Sequence, residues 1–139
     1  MKKKMALVTV MLMATMMVFS ACAKKDAADD NTFKVGMEAA YAPFNWTQTT
    51  DENGGVAIQG NKEFAGGYDV EIAKKIADGH GKKLVIVKTE WDGLVPALTA
   101  GKIDAIIAGM SPTEERKETI DFSDNYYKSD LVMVVKKGG

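Results

Sequence analysis

Hydrophobic positions along this chain come in short blocks whose spacing changes from one block to the next. Residues 33–37 alternate around Val35, the period-two pattern of a half-buried strand. In residues 68–78 the apolar positions Val70, Ala73, Ile76 and Ala77 fall at helical spacing, with Ile72 beside the stripe, and Gly79 ends the pattern. Asp69, Glu71, Lys74 and Lys75 are then expected on the solvated face of that helix. Residues 84–87 are a β-branched apolar run, the second expected strand. Trp91-Asp92-Gly93 is expected as a loop beyond its end. Leu94, Val95, Leu98 and Ala100 predict a short helix closed by Gly101, with Pro96 tolerable in its first turn. Residues 104–108 predict a third strand that breaks at Gly109, and the apolar run 131–135 a fourth. Two strand–helix–strand units with right-handed crossovers imply an α/β fold, a mostly parallel sheet with helices on both faces.

Between these blocks the chain is polar. Residues 45–67 are rich in Gly, Asn, Thr and Asp and are expected as a long loop, with Asn53-Gly54 a turn signal for a small hairpin carrying residues 56–58. Trp46 is expected to pin this loop, and Phe44 to pack at the edge of the core.

The N-terminus follows a different logic. Lys2, Lys3 and Lys4 precede an apolar run over residues 5–19, which ends at Ser20, Ala21 and the only cysteine, Cys22. At about 15 residues the run is shorter than the ~20 that cross a bilayer comfortably as a helix. It is expected to be a signal peptide over 1–21. Cys22 resembles a lipobox cysteine, cleaved on its N-terminal side and then lipidated, with Phe19 standing where Leu is usual. An uncleaved anchor, an incidental cysteine and plain secretion are the other readings. Residues 22–32 are small, charged and aperiodic, a flexible tether between lipid and domain.

Composition narrows the partners. The 139 residues suit one domain, with hydrophobic and charged shares of 46% and 27% that match globular proteins. A formal net charge of -1 implies neither nucleic acid nor a polybasic membrane surface as partner. A single cysteine leaves no intrachain disulfide. His80, the one histidine, has no second ligand near it in sequence, so no metal is expected.

The chemistry concentrates where the third strand ends. Ser111, Pro112 and Glu114 form a capping box, with Ser111 at the N-cap. A helix starting there presents unpaired amides at the positive end of its dipole, a site for an anion. Arg116, one turn in, has a planar fork that grips a carboxylate through two hydrogen bonds. The plainer alternative is an ordinary capped helix with a solvated charged face. Ligands of open α/β sheets bind beyond the carboxyl ends of strands, which directs Glu38 and Tyr41, following the first strand, toward a cleft.

The stretch GMSPTEERKETIDFSDNYY at 109–127 resembles the signature of family 3 extracellular solute-binding proteins. YAPF at 41–44, GGYDVEIAKKIA at 66–77 and WDGLVPALTAGKIDA at 91–105 fit the same family in its order. Asn125, where Pro is usual, and the polar stretch after Phe44 depart from it. The resemblance implies the type II periplasmic-binding-protein fold, with residues 33–135 as lobe one, 136–139 as the end of a hinge, and the chain truncated before its second lobe. It implies an amino-acid receptor of an ABC importer, lipid-anchored outside the cytoplasmic membrane, with permease subunits as partners, no cofactor and no catalysis. By resemblance, Arg116 with the Ser111 amide and hydroxyl takes the α-carboxylate. Ala108 and Gly109 offer backbone groups to the α-amino end, and Glu38, Tyr41 and Trp91 surround the side chain. A cyclohexadienyl dehydratase-like enzyme and the sensor domain of a membrane receptor share this fold and stand as alternatives. Half a site is expected to bind free amino acids at best in the millimolar range.

Overall fold

The computed structural model describes residues 31–130 and 132–138. The signal peptide, Cys22 and nearly all of the tether lie outside them. Strand β1 (Thr32–Met37) is the centre of a three-stranded parallel sheet. On one side lies β6 (Lys83–Lys88), in register from Thr32 opposite Lys83 to Met37 opposite Lys88. On the other lies β7 (Ala105–Ile106), with Val35 opposite Ala105. The sheet buries Val35, Met37 and Ile86 completely. Its crossovers are α1 (Tyr68–Gly79) and α2 (Trp91–Thr99).

The two helices cover different faces. A Cβ built on Gly36 would meet Ile103 and would sit 3.2 Å from Leu94 Cδ2, so α2 packs directly on the backbone of β1 there. Side chains alternate along a strand, so Val35 and Met37 point the other way. They share the core with Val70 and Ala73 of α1.

The polar segment corrects the sequence reading. It is no loop but supplies β3 (Asn45–Gln48), β4 (Val56–Ala57) and β5 (Phe64–Gly66), which with β2 (Ala40–Tyr41) just before it form a four-stranded antiparallel sheet in the order β2-β3-β5-β4. The Asn53-Gly54 turn exists, with both residues at positive φ (53° and 79°), but joins strands that are not neighbours. Residues 56 and 57 pair instead with β5. Ile58 bridges to Ile86 at the edge of the parallel sheet, which ties the two sheets together. A polar segment can pair this way because the backbone supplies the hydrogen bonds, while one row of residues (Ala65, Ile58) reaches the core.

Three boundaries also differ. α2 starts at Trp91, so Trp91, Asp92 and Gly93 are its first turn, closed by Gly93 N–H on the Glu90 carbonyl at 2.8 Å. Pro96 therefore lies in the helix interior rather than in the first turn. β7 is only two residues long because the chain turns away at Gly109, whose φ is 63°. Residues 132–135, expected as a strand, form none; Val132, Met133, Val134 and Val135 are 78, 88, 91 and 65% exposed. A strand needs a ladder partner, and no described strand runs beside them.

Helix α1 has no side-chain N-cap. Its first amides are satisfied by the turn before β3: Tyr68 N–H donates to the Pro43 carbonyl at 3.2 Å and Asp69 N–H to the Phe44 carbonyl at 2.8 Å. The helix start thereby clamps the segment that carries Tyr41.

Candidate functional site

The carboxyl ends of the three parallel strands converge on an open cavity of about 270 Å³, lined by Glu38, Tyr41, Trp91, Ala108 and Gly109. Glu38 and Tyr41 follow β1, Trp91 opens the helix after β6, and Ala108-Gly109 follow β7. Five of the seven sequence-derived candidates are thus brought together from three separate segments. Gly109 stands close to the Tyr41 ring: a Cβ there would lie 3.5 Å from Tyr41 Cε1.

Tyr41 is half exposed and stacks on Phe44 with centroids 5.3 Å apart. Phe44 in turn meets Tyr127 edge-on at 5.0 Å and Tyr68 at 6.4 Å, an aromatic wall beside the cavity. Trp91 packs partly on the core and partly on the cavity, so both of its expected environments are present. Trp46 Nε1 donates to Gln48 Oε1 at 3.1 Å within β3.

The remaining two candidates, Ser111 and Arg116, sit beside Trp91. The Arg116 guanidinium lies 5.4 Å from the centroid of the Trp91 ring, and its Nη1 donates to the Ser111 carbonyl at 3.0 Å. The capping box is displaced from the sequence reading. Helix α3 spans Glu114–Lys117, and its N-cap is Thr113, whose hydroxyl accepts from Arg116 N–H at 3.4 Å. Ser111 lies two residues before that N-cap and is exposed. Thr113 competes successfully because a hydroxyl caps through the amide three residues on, and Arg116 supplies that amide just where Glu114 supplies Ser111's alternative. With four residues, α3 has almost no dipole to offer an anion; the cationic group here is the Arg116 fork itself.

The pattern of hydrophobic positions misplaced one residue that matters. Asp69, expected in solvent, is 0% exposed, and Asn45 is 1% exposed. Asp69 Oδ2 accepts from Asn45 Nδ2 at 2.7 Å, and Asn45 Oδ1 accepts from Ala39 N–H at 2.8 Å. On its other side Asp69 Oδ1 accepts from the Tyr126 hydroxyl at 2.8 Å, which itself accepts from Gly109 N–H at 3.0 Å. Burial raises the Asp69 carboxyl above the usual carboxylate range, while the hydrogen bonds from Asn45 and Tyr126 pull it back. Burial, and then the bond to Asp69, raise the Tyr126 phenol, which therefore stays protonated and a donor. The Gly109 amide being taken, only its carbonyl is left for a ligand. A clue was available: Asp69 shares the four-residue spacing of Ala73 and Ala77, both buried.

His80 is exposed, and among the described residues no group of three or more His, Cys, Asp or Glu comes together to hold a metal.

Residues 33–139 match the bacterial extracellular solute-binding proteins, family 3, and the chain belongs to that family. It is 37% identical over 107 residues to a probable histidine-binding protein of Campylobacter jejuni, covering 77% of this chain and 37% of that protein. It is 38% identical over 111 residues to the L-arginine-binding protein of Pseudomonas aeruginosa, covering 80% and 38%. Among solved structures, the arginine-bound form of domain 1 from TmArgBP superposes with a TM-score of 0.58 and 41% identity, covering 76% of this chain and 74% of that one. The chain thus spans under half the length of these curated relatives, both of which are named for binding.

Proposed function

We propose that this chain forms the first lobe of a receptor that captures a basic amino acid outside the cytoplasmic membrane and delivers it to the permease subunits of an ABC importer. The observation that carries this reading is the composition of the cavity. One carboxylate, Glu38, stands among two aromatic side chains, Tyr41 and Trp91, with a guanidinium, Arg116, beside the indole. A cationic side chain is attracted both by aromatic faces and by a carboxylate. An α-carboxylate matches the Arg116 fork, with Ser111 alongside, and an α-amino group needs acceptors such as the carbonyls of Ala108 and Gly109. The relatives named for histidine and arginine support the same ligand class.

The arginine-bound neighbour is a single domain, so in that protein one lobe suffices to hold the ligand. That replaces the expectation of at best millimolar binding by half a site: the present chain is expected to bind L-arginine with a dissociation constant at or below about 1 mM. Titration calorimetry with L-arginine, L-lysine and L-histidine, against D-glucose and succinate as controls, tests the reading. Heat from the controls with none from the basic amino acids would overturn it.

The anchor belongs to the same proposal. Cleavage before Cys22 and lipidation of its sulfur would tether the lobe at the membrane surface, and more than one acyl chain makes such attachment stable. Growth with an alkyne fatty acid is expected to tag the protein, and Cys22→Ser to abolish the tag. Tagging that persists in the variant would exclude Cys22 as the acceptor.

A further inference from the structure

A buried carboxylate with no cation beside it is an expensive way to fill a core. Asp69 is one: among the described residues the only ion pairs join Lys74 to Glu71 and Lys117 to Glu114. Ala73 and Ala77 in the same helical row are apolar, so packing alone did not call for a charge at this position. What Asp69 does have is two arms. Through Asn45 it reaches the amide of Ala39, between Glu38 and Tyr41, and through Tyr126 it reaches the amide of Gly109. Both amides belong to residues in the left-handed region, φ 54° at Ala39 and 63° at Gly109, the points at which the two cavity-lining segments turn. Ala39 is not a glycine, so its left-handed conformation is strained and something must hold it. Its amide and its carbonyl are both held, the carbonyl by the Thr47 hydroxyl at 2.8 Å. The Tyr126 segment is fixed in turn, since Tyr68 Oη donates to the Tyr126 carbonyl at 3.1 Å.

We propose that Asp69, with Asn45 and Tyr126, is the positioning centre of the cavity: a single buried carboxylate that sets the distance between the Glu38–Tyr41 side and the Ala108–Gly109 side. None of the three is needed to touch the ligand. The inference rests on the amino-acid-binding reading above. Its physical content is preorganisation. A carboxylate accepts on both oxygens at once, so neither turn can shift without stretching a charge-assisted bond to the other. A ligand that must fit between the two turns then finds them already spaced. An amide at position 69 cannot do this. It accepts from Asn45 with its oxygen but turns an NH2 toward Tyr126, whose hydroxyl then has no acceptor.

The test uses the whole chain, 15N-labelled, as wild type, Asp69→Asn, Tyr126→Phe and the double variant. Backbone amide resonances of Ala39 and Gly109, melting temperature, and calorimetric affinity for L-arginine are measured for each. Asp69→Asn is expected to move both amide resonances while those of Val35 and Ile86 in the parallel sheet stay in place. Each single variant is expected to weaken L-arginine binding about tenfold, with the double no weaker than either single because one network is being cut. Fold and positioning are read separately: Asp69→Asn keeps the shape and removes the charge, so its melting temperature is expected within a few degrees of wild type even as binding weakens. The proposal is overturned if Asp69→Asn leaves either amide where it was, or if the single variants bind as tightly as wild type. It is also overturned if the two losses simply add. A wild-type chain that bound no basic amino acid would sink the functional reading alone. Concerted movement of the two amides would in that case still support the positioning centre, and a fixed amide would refute it.

Discussion

Gly67→Ala is expected to destabilise the fold by about 3 kcal/mol, lowering its melting temperature by more than roughly 10 °C. Gly67 has φ 123° and ψ 178°, a region that residues with a side chain essentially do not occupy. A Cβ there would overlap the Phe44 carbonyl oxygen and come within 2.8 Å of its carbon and 2.9 Å of the Trp46 ring. The obstruction is backbone, so no rotamer change relieves it. That carbonyl also accepts the Asp69 amide, so the start of α1 and the turn carrying Tyr41 would be pushed apart together. Gly60→Ala separates the two causes. Gly60 also has a left-handed φ, 74°, but open space around it, so its substitution is expected to cost only about 1 kcal/mol. Urea denaturation of both variants measures the difference. Equal losses would mean that backbone conformation alone matters at Gly67 and that the contact with Phe44 does not.

Arg116→Ala is expected to weaken binding of a basic amino acid by about 2–5 kcal/mol, enough to abolish it in a lobe of modest affinity. The fork is held by the Trp91 ring and the Ser111 carbonyl before any ligand arrives, so little ordering remains for the ligand to drive. Arg116→Lys keeps the charge but loses the planar pair of donors and the guanidinium over the indole, and is expected to weaken binding as well, though less. Because Arg116 is only partly buried and lies on a four-residue helix, neither change is expected to alter thermal stability much. Both variants binding like wild type would place the carboxylate elsewhere.

How much of this could be read from the chain differs by element. β1, α1 and β6 were legible because each carries its own periodicity: alternation around Val35, the Val70-Ala73-Ala77 stripe, and the run around Ile86. The second sheet was not legible. Its strands are two to four residues long, too short for any period to register, and their pairing is set by backbone hydrogen bonds that polar residues make as well as apolar ones. The seven candidate residues came from strand ends and from motif resemblance, and five of them do line one cavity. Asp69 reads as solvated by its charge but is buried by its position, since a helical row that includes Ala73 and Ala77 points inward whatever its first member is. The cap moved from Ser111 to Thr113 because both residues offer a hydroxyl at capping distance from an acidic first turn. Sequence spacing favours Ser111, with Pro112 and Glu114 completing a capping box, but the helix starts two residues later and Thr113 caps it.

The contact between Arg116 and Trp91 also gives the molecule a built-in lamp. The chain holds two indoles. One, Trp46, is half-buried in β3 with its N–H bound to Gln48. The other stands at the cavity wall with a guanidinium against its ring. A cation near an indole shifts its emission, and so does the removal of water from its surface. In a Trp46→Phe background the remaining fluorophore therefore sits where occupancy of the cavity alters both conditions at once, and filling can be followed by eye of the spectrometer alone, with no dye, no label and no heat.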